Sequence, residues 1–99
     1  LDTDYCKVKR ITVYPHQKLS YQSHTKRKEE WTIVQGEAVV VLDDINHIIC
    51  QGEHFSIPIG AKHRIINDTN KNLTFIEVQT GTYFGEDDIT RYSDEYGRV

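Results

Sequence analysis

Turn residues interrupt this chain so often that long helices have no room to form. Short runs rich in Val, Ile, Thr and Tyr alternate with Gly, Asn, Asp and Pro, and no window carries a sustained helical period. Residues 6–14 read as a first strand, ended by Pro15-His16, and residues 19–24 as a second. Residues 31–35 make a third, and Gly36 turns the chain into 38–42. Asp43-Asp44 then opens a turn into 45–50, where Ile45, Ile48 and Ile49 are available to a core. Further strands are expected at 54–57, 63–66 and 73–79, with a polar loop at 67–72. The acidic end, 85–99, has room for one helical turn. Many short strands at regular spacing predict an all-β sandwich or barrel, with a jelly roll prominent among the options. Residues 1–99 contain no linker, repeat or low-complexity tract, and their number suits a single core, so one domain is expected.

Charge and composition narrow the function classes. Twelve basic against fifteen acidic side chains give no warrant for a nucleic-acid partner or a membrane surface. The longest apolar runs, such as Ala38-Val39-Val40-Val41-Leu42, are far too short to span a bilayer. Two cysteines, Cys6 and Cys50, form no C-x-x-C pair, and no secretory signal is legible at the start. Reduced thiols in a cytoplasmic protein are the expectation, with a secreted single-disulfide domain as the other reading. A start at Leu1 rather than Met is what a trimmed chain or part of a longer polypeptide would show.

Residues 22–36 hold the first chemical constellation. Gln22 and His24 are two apart, so on a strand they leave the same face. The basic stretch that follows is long enough to turn a corner before Glu29 opens a new run. A neutral oxygen donor, an imidazole and a carboxylate can therefore converge between neighbouring strands, a mixed set that suits a divalent metal. The second constellation is G-x5-P-x-G-x2-H-x3-N over 52–67. Pro58 and Gly60 shape a turn, one fixing φ and the other freeing it, and the turn can aim His63 inward. Gln22, His24, Glu29 and His63 then make a four-point protein site, with remaining positions open to water or substrate. Duller readings accompany these residues. Lys26-Arg27-Lys28 is by default a solvated loop, Trp31 a core residue, and His16, His47 and His54 exposed or strand-edge positions.

Gln22-x-His24-x4-Glu29-x6-Gly36 resembles the first cupin motif with Gln in place of its first His, and 52–67 matches the second motif in full. The resemblance extends to the cupin domain of type II phosphomannose isomerases, which usually closes bifunctional mannose-6-phosphate isomerase/mannose-1-phosphate guanylyltransferase enzymes. Lys7-Val-Lys9-Arg10-Ile, Leu19-Ser20, Arg27, Trp31, Lys62-His63-Arg64, the stretch from Ile76 to Arg91 and Tyr96-Gly97-Arg98 carry it over nearly the whole chain. Departures stand at His16, where that family commonly has glycine, and at Thr25, Lys26 and Glu30, where it has histidines.

The resemblance implies a double-stranded β-helix and one divalent ion, with Zn, Mn, Co, Ni and Fe all open. It implies a metal-dependent aldose–ketose isomerase interconverting mannose 6-phosphate and fructose 6-phosphate. An ion there would orient sugar oxygens and stabilise negative charge developing on them. Arg27 takes the catalytic place in the ligand loop, and Arg27, Arg91 and Arg98 are the candidates for a small phosphorylated sugar. A homodimer is expected through exposed strand edges. The alternative is a sugar-phosphate-binding or structural cupin without the chemistry, to which the absent histidines point. Residues 1–99 hold no nucleotide-transferring domain, so GDP-mannose synthesis by them alone is not expected.

Overall fold

A computed structural model describes residues 2–92. Nine strands are assigned, and no helix occurs among the described residues. They are β1 (Cys6–Val13), β2 (Gln22–Ser23), β3 (Arg27–Gln35), β4 (Glu37–Leu42), β5 (Ile45–Cys50), β6 (His54–Ile57), β7 (His63–Ile66), β8 (Leu73–Gly81) and β9 (Thr90–Arg91). One sheet runs β1-β8-β3-β6 and the other β5-β4-β7-β2-β9, with every pairing antiparallel. The pairs β1·β8, β2·β7, β3·β6 and β4·β5 are nested, as if one long hairpin had been rolled up. The pairs β3·β8 and β4·β7 close each sheet. This is the double-stranded β-helix.

Strand alternation decides what lines the interior. On β3, Arg27, Glu29, Trp31 and Ile33 point in; on β8, Leu73, Phe75, Glu77 and Gln79 do so. Register sets Ile33 opposite Phe75, Trp31 opposite Glu77 and Glu29 opposite Gln79. One end of the barrel is therefore apolar, with Ile33, Leu73 and Phe75 packed against Val13, Ala38, Val40 and Ile65. The other end is polar yet buried. That gradient along two neighbouring strands is what creates a chemical interior.

Several strand expectations shift. The second strand is confined to β2; Leu19 and Ser20 are exposed and lie outside it, although the Leu19 amide still donates to the Ile65 carbonyl at 3.1 Å. The third starts at Arg27 rather than 31, so the basic stretch is half strand and Arg27 is buried. Ile45 and Ile48 do not join the core, being 62% and 66% exposed, whereas Ile49 does. Ile48 leaves the face opposite to Ile49, and Ile45 sits at the strand end beside the turn. In 85–92 the chain forms a turn and then β9, not a helical turn. His16 takes φ 61°, a left-handed conformation that glycine adopts freely.

Candidate metal centre

His24, Glu29 and His63 come from three different places in the barrel. His24 follows β2, Glu29 lies inside β3 and His63 opens β7. The turn before His63 is held by the amide of Ala61 donating to the Pro58 carbonyl, with Gly60 at φ 84°. The Gly60 amide also donates to the His24 carbonyl at 2.8 Å, which stitches the two constellations together. One ligand-type atom from each of the three residues lies within 4.8 Å of the others, and all three residues are buried.

Both histidines are oriented by carbonyls. His24 Nδ1 meets the Asp88 carbonyl at 2.7 Å, and His63 Nδ1 meets that of Ala61 at 3.1 Å. A carbonyl only accepts, so Nδ1 carries the proton and Nε2 turns its lone pair toward the cluster. His24 Nε2 is 3.3 Å and His63 Nε2 3.8 Å from the Glu29 carboxylate. Burial above all holds the His63 pKa below its ordinary value, although the Glu29 charge opposes this. Two imidazoles, each with Nδ1 held by a carbonyl and Nε2 facing the cluster, and one carboxylate form a donor set that fits a divalent ion.

Glu29 is shared. Arg27 donates to its Oε2 from Nη2 at 2.9 Å and from Nε at 3.0 Å, and Trp31 donates its indole N–H to Oε1 at 3.0 Å. Arg27 Nη2 also lies 3.2 Å from His24 Nε2. Trp31 is a core residue as expected, but it orients a carboxylate as well.

The cluster opens into a cavity of about 170 Å³ lined by Lys9, Gln22, Arg27, Arg64, Glu77 and Arg91 among others. Gln22 faces His63 in register and donates its amide to Ser20 Oγ at 2.9 Å, which leaves Oε1 as the atom it can offer an ion. Arg91 reaches the cavity from β9; Arg98 lies outside the described residues. Thr25, Lys26 and Glu30 do not line the cavity. Glu30 is on the outer face, accepting from His54 Nε2 at 2.5 Å and Ser56 Oγ at 2.6 Å.

Sequence reasoning missed Glu77, Lys9, Arg64 and Asp88. Burial, then the charge of Glu29, pushes the Glu77 pKa up to about 7, and Gln79 donates to its carboxylate. The missing clue was polar residues at inward positions of an otherwise apolar strand, Leu73-Thr-Phe-Ile-Glu77-Val-Gln79.

Residues 2–94 match the family described as mannose-6-phosphate isomerase C-terminal. The chain belongs to that family. Among its relatives, a mannose-1-phosphate guanylyltransferase of Salmonella montevideo is 46% identical over 91 residues, 92% of this chain and 19% of the relative. The alginate biosynthesis protein AlgA of Pseudomonas aeruginosa is 46% identical over 92 residues, 93% of this chain and 19% of that protein. This cupin domain thus spans about a fifth of the curated relatives it matches. In fold it is similar to a double-stranded β-helix protein of Klebsiella pneumoniae, at TM-score 0.84 and 20% identity over 95% of this chain and 80% of that one. A cupin-superfamily sugar phosphate isomerase of Silicibacter pomeroyi aligns at TM-score 0.73 and 20% identity, over 96% of this chain and 71% of that one. At such identity these two establish the fold alone.

The relatives correct the functional expectation. Enzymes of this family that match the cupin domain at 46% identity are named for guanylyl transfer and alginate biosynthesis, and most of their length lies outside the match. The reading of this chain as a mannose 6-phosphate/fructose 6-phosphate isomerase is withdrawn on that finding.

Proposed function

We propose that this chain is a metal-holding, phosphosugar-binding cupin domain, 1–99, that serves mannose-1-phosphate guanylyltransferase chemistry. The carrying observation is Arg27, which lines the cavity with its buried Nη1 lacking an acceptor among the described residues. An unmatched buried donor is costly, and a ligand oxygen reaching the cavity would satisfy it. Of the two roles expected of Arg27, catalytic and substrate-binding, the orphaned donor supports the second. Lys9, Arg64 and Arg91 add positive charge on the cavity wall, and guanidinium groups suit the planar, forked recognition of phosphate.

His24 Nε2, His63 Nε2 and Glu29 are the residues that would hold the ion, with Gln22 Oε1 as fourth donor. When bound, a divalent ion supplies Lewis acidity and a template for sugar oxygens. The protein's own part is to orient both imidazoles, desolvate the carboxylate and present Arg27 beside it. Zn, Mn, Co, Ni and Fe all remain open on this donor set.

A cytoplasmic setting goes with this reading, supported by free thiols at Cys6 and Cys50 and by relatives named for biosynthesis. A homodimer is proposed on Ile45 and Ile48, exposed along the edge strand β5, and analytical ultracentrifugation tests it. The ligand is tested by calorimetric titration of the Mn²⁺-treated protein with mannose 1-phosphate, mannose and inorganic phosphate. Mannose 1-phosphate is expected to bind most tightly, and Arg91→Ala to weaken it about tenfold, the worth of one charge-assisted hydrogen bond. Absence of mannose 1-phosphate binding by the folded, Mn²⁺-treated chain would remove the reading.

A further inference from the structure

The segment 82–92 crosses the loop that carries His24. At one end the Thr82 amide donates to the Lys26 carbonyl at 3.0 Å. At the other, β9 pairs with β2, and the Tyr92 amide donates to the Tyr21 carbonyl at 2.9 Å. Between these anchors, Asp88 turns inward and is buried. Its Oδ1 accepts from the Thr25 amide at 2.9 Å and the Thr25 hydroxyl at 2.8 Å, and its Oδ2 from the Lys26 amide at 2.9 Å. The same residue's carbonyl receives His24 Nδ1 at 2.7 Å.

We propose that Asp88 is a positioning residue for the metal centre, gripping 25–26 with its carboxylate so that its own carbonyl fixes the tautomer and direction of His24. The inference rests on the metal reading above for its effect on affinity, and on geometry alone for its effect on His24. Three donors converge on one carboxylate, two of them backbone amides of the residues directly after the ligand. With that grip gone, the amides lose their acceptors and the carbonyl is no longer held against the imidazole. His24 can then rotate or exchange its proton to Nε2, the atom the ion needs. Asp88 is outside the donor cluster of His24, Glu29 and His63 and so acts on it only through His24.

The test uses the full chain. Co²⁺ affinity is measured by calorimetry for wild type, Asp88→Ala, Asp88→Asn and Ile49→Ala, a core change on β5 that calibrates the effect of lost stability. The His24 tautomer is read from ring ¹⁵N shifts in the metal-free protein. Asp88→Ala is expected to bind Co²⁺ about 10–100-fold more weakly, as outer-shell losses do, and Asp88→Asn to fall between it and wild type. Ile49→Ala is expected to stay within about twofold. In Asp88→Ala the His24 shifts are expected to move toward a mixture of tautomers. Affinity within twofold of wild type, or a loss matched by Ile49→Ala, overturns the proposal. Should Asp88→Ala not fold, Asp88→Asn carries the same comparison. If wild type takes up no Co²⁺ the metal reading fails separately, and a His24 that stays wholly Nδ1-protonated in the Asp88 variants still overturns the positioning role.

Discussion

Arg27 and Glu29 stand two residues apart on β3 and meet inside the barrel, with Nη2 2.9 Å and Nε 3.0 Å from the same carboxylate oxygen. Both side chains are nearly inaccessible to water, at 6% and 2% exposure. The pair exists because alternate residues of a strand share a face, and because that face turns inward toward the other sheet, whose His63 on β7 lies beside Glu29. Arg27→Met leaves a buried carboxylate without its cation. The metal-free variant is expected to lose about 3–5 kcal/mol of unfolding free energy in urea. A loss below about 1 kcal/mol, the range of an exposed pair, would show that water reaches Glu29.

Trp31 offers a cleaner separation of packing from hydrogen bonding. Its ring lies 5.0 Å from that of Phe75 and 5.7 Å from that of His63, and its N–H serves Glu29 Oε1. Trp31→Phe keeps an aromatic ring there and removes the donor. A cost of about 1–3 kcal/mol is expected in denaturant unfolding, together with weaker metal uptake as Glu29 loses its orientation.

Glu77 sets a pH dependence. Its pKa rises from 4.5 to about 7 in the folded chain, chiefly through burial. The folded state therefore keeps a proton that the unfolded state releases, so its contribution is complete below pH 4.5 and is lost as pH rises through 7. His63 works in the opposite direction. Burial lowers its pKa from 6.5, so its contribution stands above that value and is lost as pH falls below it. Glu77→Gln removes the first effect: unfolding free energy measured at pH 8 is expected to exceed that of wild type, with the gap closing toward pH 4.5.

Asn67, the last residue of the second constellation, is fully buried and closes the 67–72 loop. Its Nδ2 donates to the Val13 and Lys71 carbonyls at 2.9 and 2.7 Å, and its Oδ1 accepts from the Thr69 amide and hydroxyl at 3.0 and 2.7 Å. Asn67→Ala leaves several of these groups unmatched, and a loss of about 2–4 kcal/mol is expected in urea unfolding. Metal uptake is expected to be unchanged in the fraction that folds.

The strands were legible where composition and turns agreed. Residues 45–50, 54–57 and 63–66 each carry isoleucine and stop or start at a turn residue, Asp44, Pro58 or Asn67, and the structure keeps those bounds. Arg27 was harder to read: a Lys-Arg-Lys run looks solvated, and only pairing with β8 reveals that its middle residue points inward. Gly81 makes room there, since a Cβ on it would collide with the Lys26 carbonyl and sit 2.7 Å from Arg27 Cα. His24, Glu29 and His63 stand in local motifs, so sequence alone could nominate them. Asp88 and Glu77 meet the site through contacts more than forty residues away in sequence, which spacing does not encode.

Metal content is the measurement to make first. Purified chain is incubated in turn with Mn²⁺, Fe²⁺, Co²⁺, Ni²⁺ and Zn²⁺, desalted and assayed by mass spectrometry beside a His24→Gln, His63→Gln variant whose fold is checked by circular dichroism. One ion per chain in wild type and almost none in the variant is the result expected if His24, Glu29 and His63 hold a divalent metal. A wild type that retains none of the five ions, or a variant that retains as much as wild type, would contradict it.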